Sequence, residues 1–140
     1  GIKTLPLRMQ THEKNAKKVV GFLSRHPRIK KIYYPGLVSH PGHKIAGKQM
    51  SGFGGMVSFE LQGNLELAVK FLESLKIISI AESLGVVESL IEHPASMTHS
   101  SVPKKDREKI GLSDSLIRLS VGIEDVEDII GDLDQGLRRV

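Results

Sequence analysis

The run Leu116-Ile117-Arg118-Leu119-Ser120-Val121 places a guanidinium inside a segment otherwise built for burial. Read as a strand, it turns Ile117, Leu119 and Val121 to one side and Leu116, Arg118 and Ser120 to the other. Arg118 then projects from a rigid element into a partly desolvated place, where an unpaired charge is costly. Its partner must be an anion, and the planar fork suits a carboxylate held by two parallel N–H bonds. On spacing alone, two partners fit equally: a carboxylate ligand, or one of the chain's own acids. A second place for chemistry is Ala81-Glu82-Ser83-Leu84-Gly85, which reads as a strand end turning at glycine. Ser83 offers a hydroxyl there, and the loop offers backbone N–H groups. A plain turn with a solvated Glu82 has the same signature. The tripeptide Glu-Ser-Leu recurs at Glu88-Ser89-Leu90, within what reads as the following strand.

The remaining chemistry-bearing residues point to structure. His40 and His43 are three apart, and His93 and His99 flank Pro94–Thr98, but neither pair has the further ligands a metal site requires. They read as turn and helix-start residues, and no metal is expected. The glycines of Ser51-Gly52-Phe53-Gly54-Gly55 precede a strand. A phosphate cradle needs them before a helix, whose N–H groups face the anion. A tight turn is the reading that fits the order.

The elements that must position these residues follow from periodicity. Leu7, Ala16, Val19, Val20 and Leu23 mark a long amphipathic helix ending before Pro27. Ile29–Tyr33 reads as a strand closed by Pro35-Gly36. Ser39 reads as the N-cap of a short helix. Residues 54–61, "GGMVSFEL", read as a strand after a glycine turn. Asn64 caps a helix with a stripe of Leu65, Ala68, Val69 and Leu72. Ile77–Ala81 and Val86–Glu92 read as two strands separated at Leu84-Gly85. Pro103 to Gly111 brackets a short helix, the segment around Arg118 is a strand, and residues 124–140 form a last helix, acidic at its start and basic at its end. Strands here lack the regular crossovers of a doubly wound sheet. The fold class expected is α+β: a four- or five-stranded, mostly antiparallel sheet with helices packed on one face.

With 140 residues the chain suits one domain with one core. Aromatic residues make up 4%, and Trp and Cys are absent, so the core rests on Leu, Ile and Val and disulfides are excluded. The lack of Cys fits a reducing compartment. No apolar run reaches the length of a membrane span and no signal peptide is visible. The first residue is Gly1 rather than Met, which points to a truncated or processed product. Of 20 Lys and Arg, nine lie in residues 1–31 beside a single acid, Glu13, a local balance of +8; the remaining eleven face fifteen acids, a balance of −4. Such a basic segment can bind nucleic acid, but no aromatic residue interleaves with Lys14, Lys17, Lys18 and Arg25 as stacking on bases requires. A solvated face, or one docked on an acidic surface, is the reading adopted; neither nucleic acid nor membrane is expected as a partner.

Several stretches together resemble the C-terminal part of the pyridoxal-phosphate-dependent enzymes of cysteine and methionine metabolism. They are "KTLPLRM", "YYPGLVSHPGHKIA", "MSGFGGMVSFEL", "AESLG", "ESLIEHPASMTH" and "SDSLIRLSVGIEDVEDIIGDLDQGL". The resemblance runs through the whole chain in order and is greatest to the cystathionine γ-lyase and γ-synthase branch. It implies a fold-type I enzyme that is a homo-oligomer, usually a homotetramer, in the cytoplasm. A large N-terminal domain would carry pyridoxal 5'-phosphate and the Schiff-base lysine, with residues 1–140 as the smaller substrate-binding domain. It implies that Arg118 grips the α-carboxylate of a small amino-acid substrate, that Ser83 sits beside that carboxylate, and that Glu82 occupies a position linked to substrate choice. No catalytic or cofactor-binding residue of the family falls in this chain, which alone is expected to be inactive. Methionine γ-lyase, cystathionine β-lyase and a non-catalytic binding module are the alternatives. The chain departs from the family pattern at Val86, where a second glycine is usual; a glycine-like backbone angle there would strain the loop.

Overall fold

In the computed structural model, which describes residues 1–140, the ten main elements fall in the order expected. After a 3₁₀ turn at Ile2–Thr4 they are α1 (Leu5–Leu23), β1 (Ile29–Tyr33), α2 (His43–Gln49), β2 (Met56–Leu61), α3 (Leu65–Glu73), β3 (Ser79–Ile80), β4 (Leu90–Glu92), α4 (Lys104–Lys109), β5 (Leu116–Ser120) and α5 (Val126–Leu137). The strands form one sheet in the order β1-β2-β5-β4-β3. Three pairings are antiparallel, and β3 joins β4 in parallel at the edge. The sheet is therefore mixed, and the mostly antiparallel expectation holds for four of its five strands.

One face of the sheet carries the core. Val57, Phe59 and Leu61 of β2, Ile117 and Leu119 of β5, and Ile91 of β4 point the same way and are buried. They meet Ala16, Val19, Val20 and Leu23 of α1, Ala68, Phe71 and Leu72 of α3, and Ile129, Leu133 and Leu137 of α5. Each of the Val, Leu, Ile and Phe side chains contributes about 1.5–3 kcal/mol by leaving water. Phe59 and Phe71 meet edge to face, 6.2 Å between centroids. Short α2 and α4 bury no residue. The helical stripes are shifted from those expected. Leu7 and Leu65 are exposed, while Phe71 and, in α1, the polar His12 and Asn15 are buried.

Those two polar residues hold the segment after β5. His12 Nδ1 lies 2.6 Å from the Val121 carbonyl, and Asn15 Nδ2 donates to the carbonyls of Gly122 and Glu124 at 3.1 and 2.9 Å. Asn64 caps α3 as expected, its Oδ1 accepting from Leu67 N at 3.2 Å. Ser39 does not cap α2. The N-cap is Gly42, whose N–H donates to His40 Nδ1 at 3.0 Å, so His40 closes the turn that Ser39 was expected to close. His43 Nδ1 meets the Pro35 carbonyl at 2.8 Å and stacks on Phe53. His93 is buried between Ser96 Oγ and the Asp114 carbonyl. All three histidines serve turns.

The largest departure from the sequence reading lies between β3 and β4. Residues 86–89 are not strand; only Leu90–Glu92 pair. Ser89, expected in the sheet, is instead a buried anchor: its hydroxyl donates to Glu124 Oε2 at 3.0 Å and accepts from Gly122 N at 2.8 Å. The backbones approach so closely here that a Cβ at Gly122 would lie 2.5 Å from Ser89 N and from the Val87 carbonyl. Gly85, at φ +74°, makes the turn, and no non-glycine residue has positive φ. Val86 therefore takes an ordinary backbone angle, and the feared strain is absent.

Two outcomes follow. Asp132 of α5 is buried and accepts from the N–H groups of Lys76, Ile77 and Ile78, each at 2.9 Å. Asp132→Ala leaves those donors unpaired and should lower stability by about 2–4 kcal/mol, read from the urea midpoint. Val86→Gly relieves no strain, only loosens the unfolded chain, and should lower stability by about 0.5–1 kcal/mol in the same measurement.

Candidate functional site

The sheet face opposite the core is where Arg118 projects. Strand register sets Ser58 of β2, Arg118 of β5 and Glu92 of β4 side by side. Opposed residues of neighbouring strands stand within reach of each other's side chains. Arg118 Nη1 meets Glu92 Oε1 at 3.0 Å. The arginine is 24% exposed and the glutamate 1% exposed. Arg118 Nη2 donates to the carbonyls of Glu82 and Ser83, at 3.0 and 3.3 Å. These contacts use one N–H of Nη1 and both of Nη2. The Nε–H and the second N–H of Nη1 have no partner in the chain.

The three residues expected from the sequence thus come together, though not as their side chains alone would suggest. Glu82 and Ser83 reach Arg118 through backbone carbonyls. Both residues are exposed, and neither side chain makes a hydrogen bond or ion pair within the chain. Of the two partners that spacing allowed for Arg118, the structure shows the internal acid. An internal acid, Glu92, does take Arg118, but by one oxygen and one nitrogen only.

The loop bearing Glu82 and Ser83 is held unevenly. Past Gly85 it is tied down by Ser89, Glu124 and a bond from Ile123 N to the Val87 carbonyl at 2.8 Å. Before Gly85 it rests on Arg118, on Ser120, whose Oγ accepts from Gly85 N at 2.9 Å, and on a long contact from Arg8 Nη1 to the Gly85 carbonyl at 3.5 Å. Behind it is a cavity of about 150 Å³ bordered by Met9, Met56, Leu84 and Ser120. Sequence reasoning missed Glu92 and Ser120. A signal for Glu92 was present: it is the one acid in Leu90-Ile91-Glu92, a strand as apolar as the one bearing Arg118. Two lone opposite charges in two buried strands satisfy each other most cheaply if the strands are neighbours.

The same face carries a second charged group at the other end of β2. Glu60 accepts from the Tyr33 hydroxyl at 2.5 Å and from Lys30 Nζ at 3.0 Å. Burial pushes the Glu60 carboxyl up, but the two hydrogen bonds outweigh it and hold the group below the usual carboxylate range. Burial, then the bond to Glu60, pushes Tyr33 up to about 12. Basic residues of the first segment are likewise paired within the chain: Lys17 with Glu13, and Lys18 with Glu127 across to α5.

The residues present do not fit pyridoxal phosphate. Its attachment calls for a lysine inside a pocket beside donors for the phosphate, and every lysine of the chain is exposed. The glycine turn with Gly54 at φ +73° leads into β2, so no helix N-terminus faces an anion there. No helix is long and apolar enough to cross a membrane.

Comparison with known proteins places this geometry. The family model described as Cys/Met metabolism PLP-dependent enzyme matches residues 1–138. A chain named L-methionine gamma-lyase from Fusobacterium nucleatum subsp. polymorphum is 59% identical over 140 residues, covering 100% of this chain and 35% of that protein. Cystathionine beta-lyase of Lactococcus lactis subsp. cremoris (strain MG1363) is also 59% identical, covering 99% and 36%. Two solved structures superpose closely. Cystathionine gamma-lyase from Lactobacillus plantarum, complexed with L-serine, gives a TM-score of 0.92 at 51% identity. Cystathionine gamma synthase from Xanthomonas oryzae pv. oryzae, in complex with aminoacrylate and cysteine, gives 0.94 at 47%. Each alignment covers 99% of this chain and 36% of the solved one. The chain thus spans about a third of the length of the relatives it matches, and identity alone does not separate their activities. A mixed five-stranded sheet with Arg118 on its open face, and a family match over nearly every residue, make this chain a member of the Cys/Met metabolism pyridoxal-phosphate-dependent enzyme family.

Proposed function

We propose that residues 1–140 are the C-terminal substrate-binding domain of an enzyme that acts by γ-elimination or γ-replacement on cystathionine or homoserine esters. The observation that carries the reading is Arg118: a guanidinium fixed on a rigid strand, largely desolvated, with its Nε–H uncommitted. In this reading Arg118 anchors the α-carboxylate of the substrate, with Ser83 assisting from the loop. The Schiff-base lysine and pyridoxal phosphate belong to the remainder of the protein, a homo-oligomer working in the cytoplasm in cysteine or methionine metabolism. The cofactor supplies the electron sink for Cα–H and Cγ–substituent cleavage. This chain's contribution is position: holding the carboxylate fixes which bond at Cα faces the base, and orientation of this kind lowers a barrier by several kcal/mol. Glu82, exposed at the mouth of the loop, faces outward where the second ammonium of cystathionine would approach. The L-serine and cysteine named in the complexes of the two solved relatives support an amino-acid substrate.

A second reading is methionine γ-lyase or cystathionine β-lyase, supported by the two relatives at 59% identity. Glu82 favours the first reading, and kcat/KM of the purified full-length enzyme on cystathionine and on methionine decides between them. In that enzyme, Arg118→Lys keeps a cation beside Glu92 but removes the fork. We expect KM to rise and kcat/KM to fall by about 30-fold or more, corresponding to roughly 2 kcal/mol or more of lost charge-assisted bonding; near-wild-type values refute the anchor. Glu82→Gln should lower the preference for cystathionine over substrates lacking the distal ammonium by about 2–5-fold, the size expected of an exposed charge pair. An unchanged ratio removes Glu82 from substrate choice.

A further inference from the structure

We propose that Glu92 is a positioning residue for substrate binding: it locks the Arg118 guanidinium in place by a single contact and leaves the side-on edge of the fork for the incoming carboxylate. The inference rests on the α-carboxylate role of Arg118 given above.

The contact is incomplete in an informative way. Glu92 is 1% exposed, yet only Oε1 is partnered, by Arg118 Nη1 at 3.0 Å and by the Thr98 hydroxyl at 3.4 Å. Oε2 is buried with no partner at all. A buried ion pair repays its desolvation only when its geometry is good and its remaining lone pairs are satisfied. A pair selected for stability alone would be bidentate, with both carboxylate oxygens on the arginine. This one is half made, on the nitrogen that does not share the side-on edge. A guanidinium offers a carboxylate two forks, Nε with Nη2 or Nη1 with Nη2. With Nη1 on Glu92, the fork that leaves Glu92 undisturbed is Nε with Nη2.

That fork is at present half engaged, because Nη2 holds the carbonyls of Glu82 and Ser83. A carboxylate arriving there displaces at least one of them. Throughout that exchange Glu92 stays put, because it stands on a strand hydrogen-bonded to the strand of Arg118. The arginine therefore trades loop carbonyls for substrate without searching rotamers, and the loop moves while the guanidinium does not. Positioning groups on rigid elements hold a site more tightly than groups on loops.

The test uses the full-length enzyme with bound cofactor and two probes that differ only in the α-carboxylate, L-serine and 2-aminoethanol, as inhibitors. Glu92→Gln should weaken L-serine by about tenfold while 2-aminoethanol changes less than about twofold, and kcat at saturation should hold within about threefold, the pattern of a misplaced anchor. A merely structural Glu92 would weaken both probes together, and that result overturns the proposal, as does an unchanged probe ratio. If Glu92→Gln does not fold, Glu92→Asp carries the same test: it keeps the charge but withdraws the oxygen by one methylene, and the ratio should again fall. Arg118→Lys is measured in parallel. If it leaves the ratio intact, the carboxylate reading of Arg118 fails; if it abolishes the ratio and the Glu92 variants do not, only the positioning role fails.

Discussion

The pair between Arg118 and Glu92 constrains more of this molecule than any other contact. Two charges in adjacent apolar strands can be buried only together, since either alone would face a desolvation cost of several kcal/mol. Their meeting at 3.0 Å requires β4 and β5 to be antiparallel neighbours in one particular register. A slip of one residue would send Arg118 into the core and Leu119 to the open face. The same register turns Ile91, Ile117 and Leu119 toward α1, α3 and α5. The charged face and the hydrophobic core are thus two consequences of a single alignment.

The loop between β3 and β4 is anchored far more firmly in its second half than in its first. Its second half is fastened by Ser89, by Glu124 and by the close approach of Gly122, all in the protein interior. Its first half leans on two hydrogen bonds from Arg118 and one to Ser120. The two Glu-Ser-Leu copies therefore have opposite fates. Ser89 is buried and structural, while Glu82 and Ser83 are exposed, with side chains that nothing in the chain engages. The half of the loop before Gly85 has few buried contacts, which places it at the low-stability end of the fold.

Membership of a cofactor-dependent family does not put the cofactor's chemistry in this chain. Every lysine of residues 1–140 lies on the surface, and none is enclosed in a pocket beside donors for a phosphate. Relatives bearing the names of a methionine γ-lyase and a cystathionine β-lyase are equally similar to it. The anchor proposed for Arg118 would serve any amino-acid substrate, because each brings an α-carboxylate, so it does not by itself separate these activities.

By itself, the sequence determined the order and type of the ten elements, the face on which Arg118 lies, and the family. Alternation in residues 116–121 and the spacing of apolar residues in α1 and α5 are local patterns, legible without knowing what they pack against. Only the tertiary structure decided who partners Arg118, why Val86 is tolerated, and which serine is buried. Each of these depends on residues far apart in the chain: Glu92 is brought to Arg118 by strand register, the loop carbonyls by a turn at Gly85, and Ser89 to Gly122 by a backbone approach that only a missing Cβ permits. The 86–89 strand failed for the same reason, because the Glu124 carboxylate from elsewhere in the chain takes the Ser89 N–H. Ser39 failed locally, since the ring of its neighbour His40 accepts from Gly42 N and closes the turn.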